Sequence, residues 1–289
     1  MIRCLALALA LAAPGSGLAE APLRVVTTSS DLKSLTQAVG GERVSVVSLA
    51  APEQDPHAVE LKPRQLALLR SADVLVRIGL DHEPWLARAR IGDATRVVDA
   101  SRNVRLLQIE TPRLRAGRIA HLHAFGNTHY WLDPENARPI TAAIAATLCD
   151  ARRTECARFA ADRQRFVREL EAKIPGWKSA LAPYRGERLV VMHDSWVYFA
   201  EYFGLEIVAA VEPTPGVPPA AAELAALFAR MRRAHIRVLV AEPDSDPALV
   251  AQVAERSGAR AVTLLPSGND YLRLFDDNVA RLAQALSEP

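Results

Sequence analysis

Two stretches in which short β-rich runs alternate with helix-forming segments constrain the fold of this chain more than any other feature of its sequence. One covers residues 23–99 and the other residues 188–286, and their apolar runs of four to six residues are rich in Val, Leu and Ala. Strands separated by helix-length segments are typical of βαβ units and parallel sheets. We therefore predict an α/β fold of two lobes with mostly parallel sheets.

The region between the two stretches has a different character. Residues 134–183 consist almost entirely of helix formers, in two runs broken near a pair of cysteines, and residues 156–173 have amphipathic spacing. A helix of about 25 residues would be roughly 38 Å long, enough to cross a small domain. We predict an N-terminal α/β lobe (20–150), a rigid linking helix (151–183) and a C-terminal α/β lobe (184–289).

The first 19 residues have the pattern of a secretory signal peptide. Arg3 gives a basic start, residues 5–13 form an apolar run too short to span a bilayer, and Gly17 and Ala19 suit the −3 and −1 positions of a cleavage site. Cys4 precedes the apolar run, whereas a lipid anchor requires a cysteine after it. We expect cleavage near Ala19 and a soluble protein exported to the periplasm.

Export affects how the remaining cysteines are interpreted. After cleavage only Cys149 and Cys156 remain, and in an oxidising compartment such a pair is more often bridged than free. Two unpaired helical thiols stay the alternative. The net charge of +2 is too small to indicate nucleic acid or a membrane surface as a partner. Function must therefore be argued from individual sites.

Several histidines follow predicted strands. His193 comes directly after the strand at residues 188–192, Glu242 follows the strand at 237–241, and His57 lies in the loop after the strand at 44–49. Ligands of open α/β sheets bind outside the carboxyl ends of the strands, so these side chains are candidates for a metal site. His82, between Asp81 and Glu83, and His235, after a basic helix, are predicted to lie on the surface.

A third segment is denser in histidine. His121, His123 and His129 lie within nine residues, and His129 is followed by Tyr130-Trp131-Leu132-Asp133-Pro134. Together with Asp55-Pro56-His57 and Met192-His193-Asp194-Ser195-Trp196, this segment resembles the zinc and manganese solute-binding proteins of bacterial ABC importers. Gly79-Leu80, Glu242-Pro243 and Tyr271 with Asn278 fit the same pattern, so the resemblance covers nearly the whole mature chain. It implies two α/β lobes joined by one long helix.

The resemblance also implies a metal site between the lobes, with His57 and His129 from the first lobe and His193 from the second. Three neutral imidazoles suit Zn²⁺, whereas manganese-selective relatives replace some nitrogen ligands with carboxylates. Many relatives have an aspartate where this chain has Leu265, so the usual fourth ligand is missing. Glu242 is our candidate substitute, and water or the loop at residues 267–270 are alternatives.

Other residues receive accessory roles from the same resemblance. His121 and His123 correspond to a much shortened histidine-rich loop that collects metal before delivery, with a loop of no measurable role as the alternative. Glu60 and Asp133 are candidates to hold the ligand histidines in the correct tautomer, unless they are ordinary caps or surface charges.

The function implied is that of a periplasmic receptor that delivers Zn²⁺ to the membrane permease of an ABC importer. We expect a monomer and no enzymatic activity, and the sequence leaves open whether a metallochaperone loads the site. The alternatives are a manganese or iron receptor of the same fold and a zinc hydrolase. The hydrolase is disfavoured because the chain has no His-Glu-x-x-His motif. Binding through three histidines should weaken below about pH 6.

Overall fold

Two parallel sheets of four strands each form the framework of the protein. The computed structural model describes residues 20–54, 56–108, 126–212 and 219–288. The predicted signal peptide, Asp55, His121 and His123 lie outside the described residues. The predicted α/β fold of two lobes with parallel sheets is confirmed.

The first sheet has the strand order β2-β1-β3-β4. Its strands are β1 (Leu23–Thr27), β2 (Val44–Ser48), β3 (Val74–Arg77) and β4 (Arg96–Asp99), and its helices are α1 (Ser30–Gly40) and α2 (Pro63–Ser71). Ser29 caps α1 by accepting a hydrogen bond from the backbone N–H of Leu32, and Pro63 begins α2 at a position that needs no N–H donor. A short 3-10 helix, Pro84–Arg88, precedes β4.

The middle of the chain forms two consecutive helices, α3 (Ala137–Ala151) and α4 (Cys156–Leu181). A disulfide joins Cys149 to Cys156 across their junction, which confirms the predicted bridge. The 26 residues of α4 make a helix about 39 Å long. It packs against α1 and α3 and also against the final helix, α8 (Tyr271–Ser287), so it contacts elements of both lobes.

The second sheet repeats the topology of the first, with the order β6-β5-β7-β8. Its strands are β5 (Arg188–Val191), β6 (Glu206–Ala210), β7 (Val238–Ala241) and β8 (Arg260–Thr263), and its further helices are α5 (Val197–Phe203), α6 (Ala221–Arg233) and α7 (Pro247–Ser257). Each strand of the second sheet therefore has a counterpart in the first. In both sheets the second strand lies on one side of the first strand and the third strand lies on the other side. This reversal of strand order opens a crevice at the carboxyl edge of the sheet.

The two lobes share an apolar core. Tyr130 and Trp131 from the first lobe, Trp177 from α4 and Phe275 from α8 belong to one cluster of buried side chains. Hydrogen bonds reinforce this contact, because the indole N–H of Trp131 donates to the carbonyl oxygen of Pro266 at 2.8 Å and the hydroxyl of Tyr271 donates to the carbonyl oxygen of Trp131 at 2.7 Å.

Among the helices of the described ranges, none has both the length and the apolar character needed to cross a membrane.

Candidate metal centre

Three histidines meet at the carboxyl edge of the first sheet. His57 lies in the loop after β2, His82 in the loop after β3, and His129 just before α3. One ring nitrogen from each lies within 4.8 Å of the others. The ring centroids of His57 and His82 are 3.7 Å apart, and that of His129 is 5.4 Å from His57 and 5.3 Å from His82. We call these three residues the first-lobe histidine group.

The members of this group differ in exposure. His82 is completely buried, whereas His57 and His129 are half-buried. His82 is therefore the member of the group that is most shielded from solvent. The ring of Trp131 also contacts the group, at 5.5 Å from His82 and 5.3 Å from His129 between centroids.

Hydrogen bonds join the three loops that carry these histidines. The indole N–H of Trp85, three residues after His82, donates to the carbonyl oxygen of Pro56 at 2.8 Å. Nδ1 of His82 lies 2.6 Å from the hydroxyl of Thr128, the residue before His129. These bonds tie together the loops that carry the three imidazoles.

Asn127 sets the tautomer of His129. Its Oδ1 accepts the backbone N–H of His129 at 3.0 Å and lies 3.1 Å from Nδ1 of the same ring, while its Nδ2 donates to the carbonyl oxygen of Asp194 at 2.6 Å. Because an amide oxygen only accepts hydrogen bonds, Nδ1 of His129 carries the proton. The lone pair of the neutral ring is then on Nε2, as a metal ligand requires.

A second group lies at the carboxyl edge of the second sheet. His193 is buried between two buried glutamates: Nδ1 contacts Oε2 of Glu242, and Nε2 lies 2.8 Å from Oε2 of Glu212. The other oxygen of Glu242 accepts the indole N–H of Trp196 at 2.8 Å. His193, Glu242 and the exposed Asp244 offer ligand atoms within 4.8 Å of one another. We call His193, Glu212, Glu242 and Asp244 the second-lobe group.

The charges around His193 favour its protonated form. Burial alone would lower its pKa, but the hydrogen bond and negative charge of Glu242, the hydrogen bond of Glu212 and the charge of Asp244 together raise the pKa to about 9. Both ring nitrogens of His193 then carry protons at neutral pH. For this imidazole to bind a metal, it must lose one proton and one carboxylate partner.

The predicted site residues are thus distributed over two groups. His57 and His129 lie together, and His193 lies with Glu242. Asn127 links the groups, since it holds His129 and donates to the backbone of Asp194, the residue after His193. Tyr198 adds a bond by donating its hydroxyl to the carbonyl oxygen of Asn127 at 2.8 Å.

The two residues expected to orient the histidines have other surroundings. Asp133 caps a short 3-10 helix by accepting the backbone N–H of Glu135 at 2.9 Å, and burial raises its pKa to about 6. Glu60 is exposed. Their roles beside the ligands stay predictions.

The expectation that His82 lies on the surface is wrong, because its side chain is fully buried. The charged neighbours of His82 suggested exposure, but Glu83 points into the protein. Its carboxylate accepts backbone N–H groups just after β3, and this contact keeps the adjacent His82 buried as well. The place of His82, just after a buried strand, was the signal that could have identified it. His235 is exposed, as predicted.

Other residues of the site also went unrecognised. Thr128 and Asn127 belong to the histidine segment, but nothing in their spacing shows which ring each would contact. Glu212 lies two residues after the end of β6 and could have been found by the same strand-end rule that identified Glu242.

Comparisons with known proteins agree with this architecture. A family model described as zinc-uptake complex component A, periplasmic (ZnuA), matches residues 25–285. The chain is similar to the high-affinity zinc uptake system protein ZnuA of Paracoccus denitrificans strain Pd 1222, at 32% identity over 100% of this chain and 98% of that protein. It is also similar to the ZnuA protein of Yersinia pestis, at 27% identity over 90% of this chain and 88% of that protein.

Solved structures give the same fold. A crystal structure of ZnuA superposes with a TM-score of 0.81 at 25% identity, over 92% of this chain and 100% of that one. A Mn-bound periplasmic metal-binding protein from Candidatus Liberibacter asiaticus superposes with a TM-score of 0.78, over 91% of this chain and 99% of that one. At 16% identity the second likeness concerns the fold alone.

Proposed function

Because this chain belongs to the family of periplasmic A components of zinc-uptake complexes, we propose that it is the receptor that captures Zn²⁺ and delivers it to the membrane permease of an ABC importer. The observation that carries the proposal is the first-lobe histidine group, in which one ring nitrogen from each of three histidines lies within 4.8 Å of the others. Zn²⁺ accepts imidazole nitrogen at about 2.0–2.1 Å in tetrahedral geometry.

Three histidines form the core of the proposed site. His57 and His129 bind from the first lobe, and His193 binds from the second. The bonds from Asn127 to His129 and to the backbone beside His193 support this arrangement, because they keep the two groups next to each other. Binding draws His193 away from a glutamate and fixes the loops of both lobes, and the importer recognises this metal-filled form.

The fourth ligand is a separate question. Glu242 is the candidate from the sequence, and it lies beside His193. Both of its oxygens already contact neighbouring groups, so it would have to leave the indole N–H of Trp196 or Nδ1 of His193 to reach the ion.

The proposal also covers export, oligomeric state and the way in which the protein acquires its metal. Residues 1–19 act as a signal peptide that is cleaved near Ala19, and the mature protein works as a monomer. His121 and His123 act as an accessory loop that collects metal. Delivery from a metallochaperone is compatible with a site that lies at the carboxyl edges of both sheets.

A zinc titration tests the proposal. The signal-free protein is stripped with a chelator and titrated beside His57→Ala, His129→Ala and His193→Ala, with the exposed His235→Asn as control. We expect one tight zinc per chain in the wild type and the control, and affinity weaker by at least about tenfold in each of the three variants. Absence of tight zinc from the wild type, or affinity indifferent to all three histidines, would refute the proposal.

A manganese or iron receptor is the second candidate, and the carboxylates of the second-lobe group are the observation in its favour. Harder ions prefer oxygen ligands, so competition between Zn²⁺ and Mn²⁺ for the stripped protein separates the two candidates. A zinc hydrolase is the third. It requires turnover of an ester or peptide that disappears in His57→Ala.

A further inference from the structure

We infer that His82 is a zinc ligand, and that the first lobe alone holds the ion through His57, His82 and His129 while His193 completes the site as the fourth nitrogen. The inference rests on the proposed function, since it concerns the same ion. Leu265 in the second lobe offers no carboxylate as a fourth ligand. The inference gives that role to a buried histidine of the first lobe.

The distances permit common coordination. In a tetrahedral zinc site with bonds of 2.0–2.1 Å, neighbouring ligand nitrogens are about 3.3–3.4 Å apart. One ring nitrogen from each member of the first-lobe histidine group lies within 4.8 Å of the others. Side-chain shifts of about 1.5 Å or less therefore bring all three onto one ion, with no movement between the lobes.

The backbone beside His82 is built to hold it in place. Gly79, Leu80 and Asp81 all have positive φ, at 81°, 56° and 58°. Two of these are not glycine, and such left-handed residues cost free energy that the surrounding structure must offset. This turn reverses the chain after β3 and directs His82 toward His57 and His129 instead of solvent.

Glu83 anchors the same turn. Its buried carboxylate accepts the backbone N–H of Ile78 at 2.6 Å, that of Gly79 at 3.0 Å and the hydroxyl of Thr28 at 2.6 Å. Tyr130 also donates its hydroxyl to the carbonyl oxygen of Ile78 at 2.7 Å, which fixes the turn to the segment that carries His129. A side chain held by this many bonds loses little entropy when it binds a metal, as a preorganised ligand should.

The contact between His82 and Thr128 indicates which ring nitrogen of His82 binds the ion in the inferred site. Nδ1 of His82 is engaged by the threonine hydroxyl at 2.6 Å. Metal-binding histidines generally use one ring nitrogen for the ion and the other for a partner of this kind. Nε2 of His82 is accordingly the nitrogen that we assign to zinc, matching the assignment for His129.

The chemistry of the whole site changes if His82 takes part. Four imidazoles carry no negative charge, so the site would favour Zn²⁺ over Mn²⁺ more strongly than a site of three histidines and one carboxylate. The ion would also be bound before the second lobe contributes. His193 would then strengthen a complex that already exists.

The closing experiment compares His82→Gln and His82→Leu with the exposed His235→Asn, each stripped of metal and checked for folding by circular dichroism. Zn²⁺ affinity is measured by competition with a chelating dye. We expect both His82 variants to bind at least about tenfold more weakly than the control, while His193→Ala still binds one zinc per chain.

X-ray absorption of the zinc-loaded wild type provides a test that needs no variant. Four imidazoles in the first coordination shell support the inference. Three imidazoles with one carboxylate oxygen, together with a loss of about twofold or less in His82→Gln, overturn it and make Glu242 the fourth ligand. Failure of the wild type to bind zinc would instead refute the proposed function, so the two failures are distinguishable.

Discussion

Nε2 of His193 lies 2.8 Å from Oε2 of Glu212, so a carboxylate occupies the nitrogen that faces away from Glu242. In the proposed site, zinc and Glu212 would compete for this atom of His193. The contact with Glu212 would have to break for His193 to bind the ion through Nε2.

The first prediction follows from this competition. In Glu212→Gln the amide is a weaker partner for an imidazolium than the carboxylate, so less is lost when His193 turns to the ion. We expect zinc affinity to rise roughly 2- to 10-fold, the equivalent of the ~0.5–1.5 kcal/mol net contribution of one hydrogen bond. A chelator competition at constant pH measures it. Weaker binding in this variant would identify Glu212 as a partner of the bound metal instead.

A second prediction concerns protons. The pKa of His193 is raised to about 9, so the imidazole is charged at pH 7.5, whereas a zinc-bound imidazole has released a ring proton. Calorimetry in buffers of different ionisation enthalpy should show about one more proton released by the wild type than by His193→Ala. The difference should vanish as pH rises above 9, and affinity should already fall between pH 9 and pH 7. Equal proton release by both proteins would exclude His193 as a ligand.

The sequence was sufficient for most of the fold. Val74–Arg77 and Val238–Ala241 have the clear apolar runs of buried strands, and α7 has its boundaries marked by Asp246 before it and Gly258 after it. These signals are local, because they depend on propensity, capping and periodicity. Strand-end positions then placed His57, His193 and Glu242 at the correct edges without any knowledge of their neighbours.

The contacts within the site could not be predicted in the same way. Burial of His82 depends on where Glu83 finds its hydrogen bonds, and one of these comes from Thr28, just after β1 and far from Glu83 in the sequence. Because the two sheets have the same strand order, residues at the strand ends of one sheet correspond to residues of the other. His57 after β2 corresponds to Glu212 after β6, and His82 after β3 corresponds to Glu242 after β7. A comparison of the two sheets, strand by strand, would have drawn attention to both unrecognised residues.

A third prediction tests the rigidity of the link between the lobes. Helix α4 packs on helices of both lobes, and Trp131 and Tyr271 join the lobes by hydrogen bonds. Such contacts leave room only for local rearrangement on metal binding. In solution scattering the radius of gyration should change by less than about 1 Å when zinc is added. A large compaction would show that the lobes move as hinged bodies.

A fourth prediction concerns the disulfide between Cys149 and Cys156, which closes a loop of only a few residues between α3 and α4. By restricting the unfolded chain, a disulfide across so short a loop should stabilise the folded state by about 2–3 kcal/mol. The Cys149→Ser/Cys156→Ser variant should lose about that much free energy of unfolding, measured with urea, and retain the zinc affinity of the wild type. A loss of zinc binding in the folded variant would contradict this separation of stability from the site.

The boundary between the lobes contains a buried carboxyl group. Asp31 at the start of α1 is fully buried and accepts a hydrogen bond from the hydroxyl of Ser267, which also lies 2.8 Å from the hydroxyl of Ser30. Burial raises the pKa of Asp31 above its usual value, although the bonds from Ser267 and Ser29 counteract this effect. The folded protein therefore binds a proton at this carboxyl more readily than the unfolded chain does.

The sign of the resulting pH dependence gives the last prediction. Because its folded pKa is raised, Asp31 contributes more to stability as pH falls, so Asp31→Asn should compare progressively worse with the wild type between pH 7 and pH 4.5. Asp73 is the matched control: its hydrogen bond to Arg24 lowers its pKa, so the disadvantage of Asp73→Asn should stay nearly constant over this range and shrink only at lower pH, where the carboxyl group of the unfolded chain is protonated. Urea unfolding of the metal-free proteins at several pH values measures both trends. Parallel trends in the two variants would mean that burial does not control the titration of Asp31.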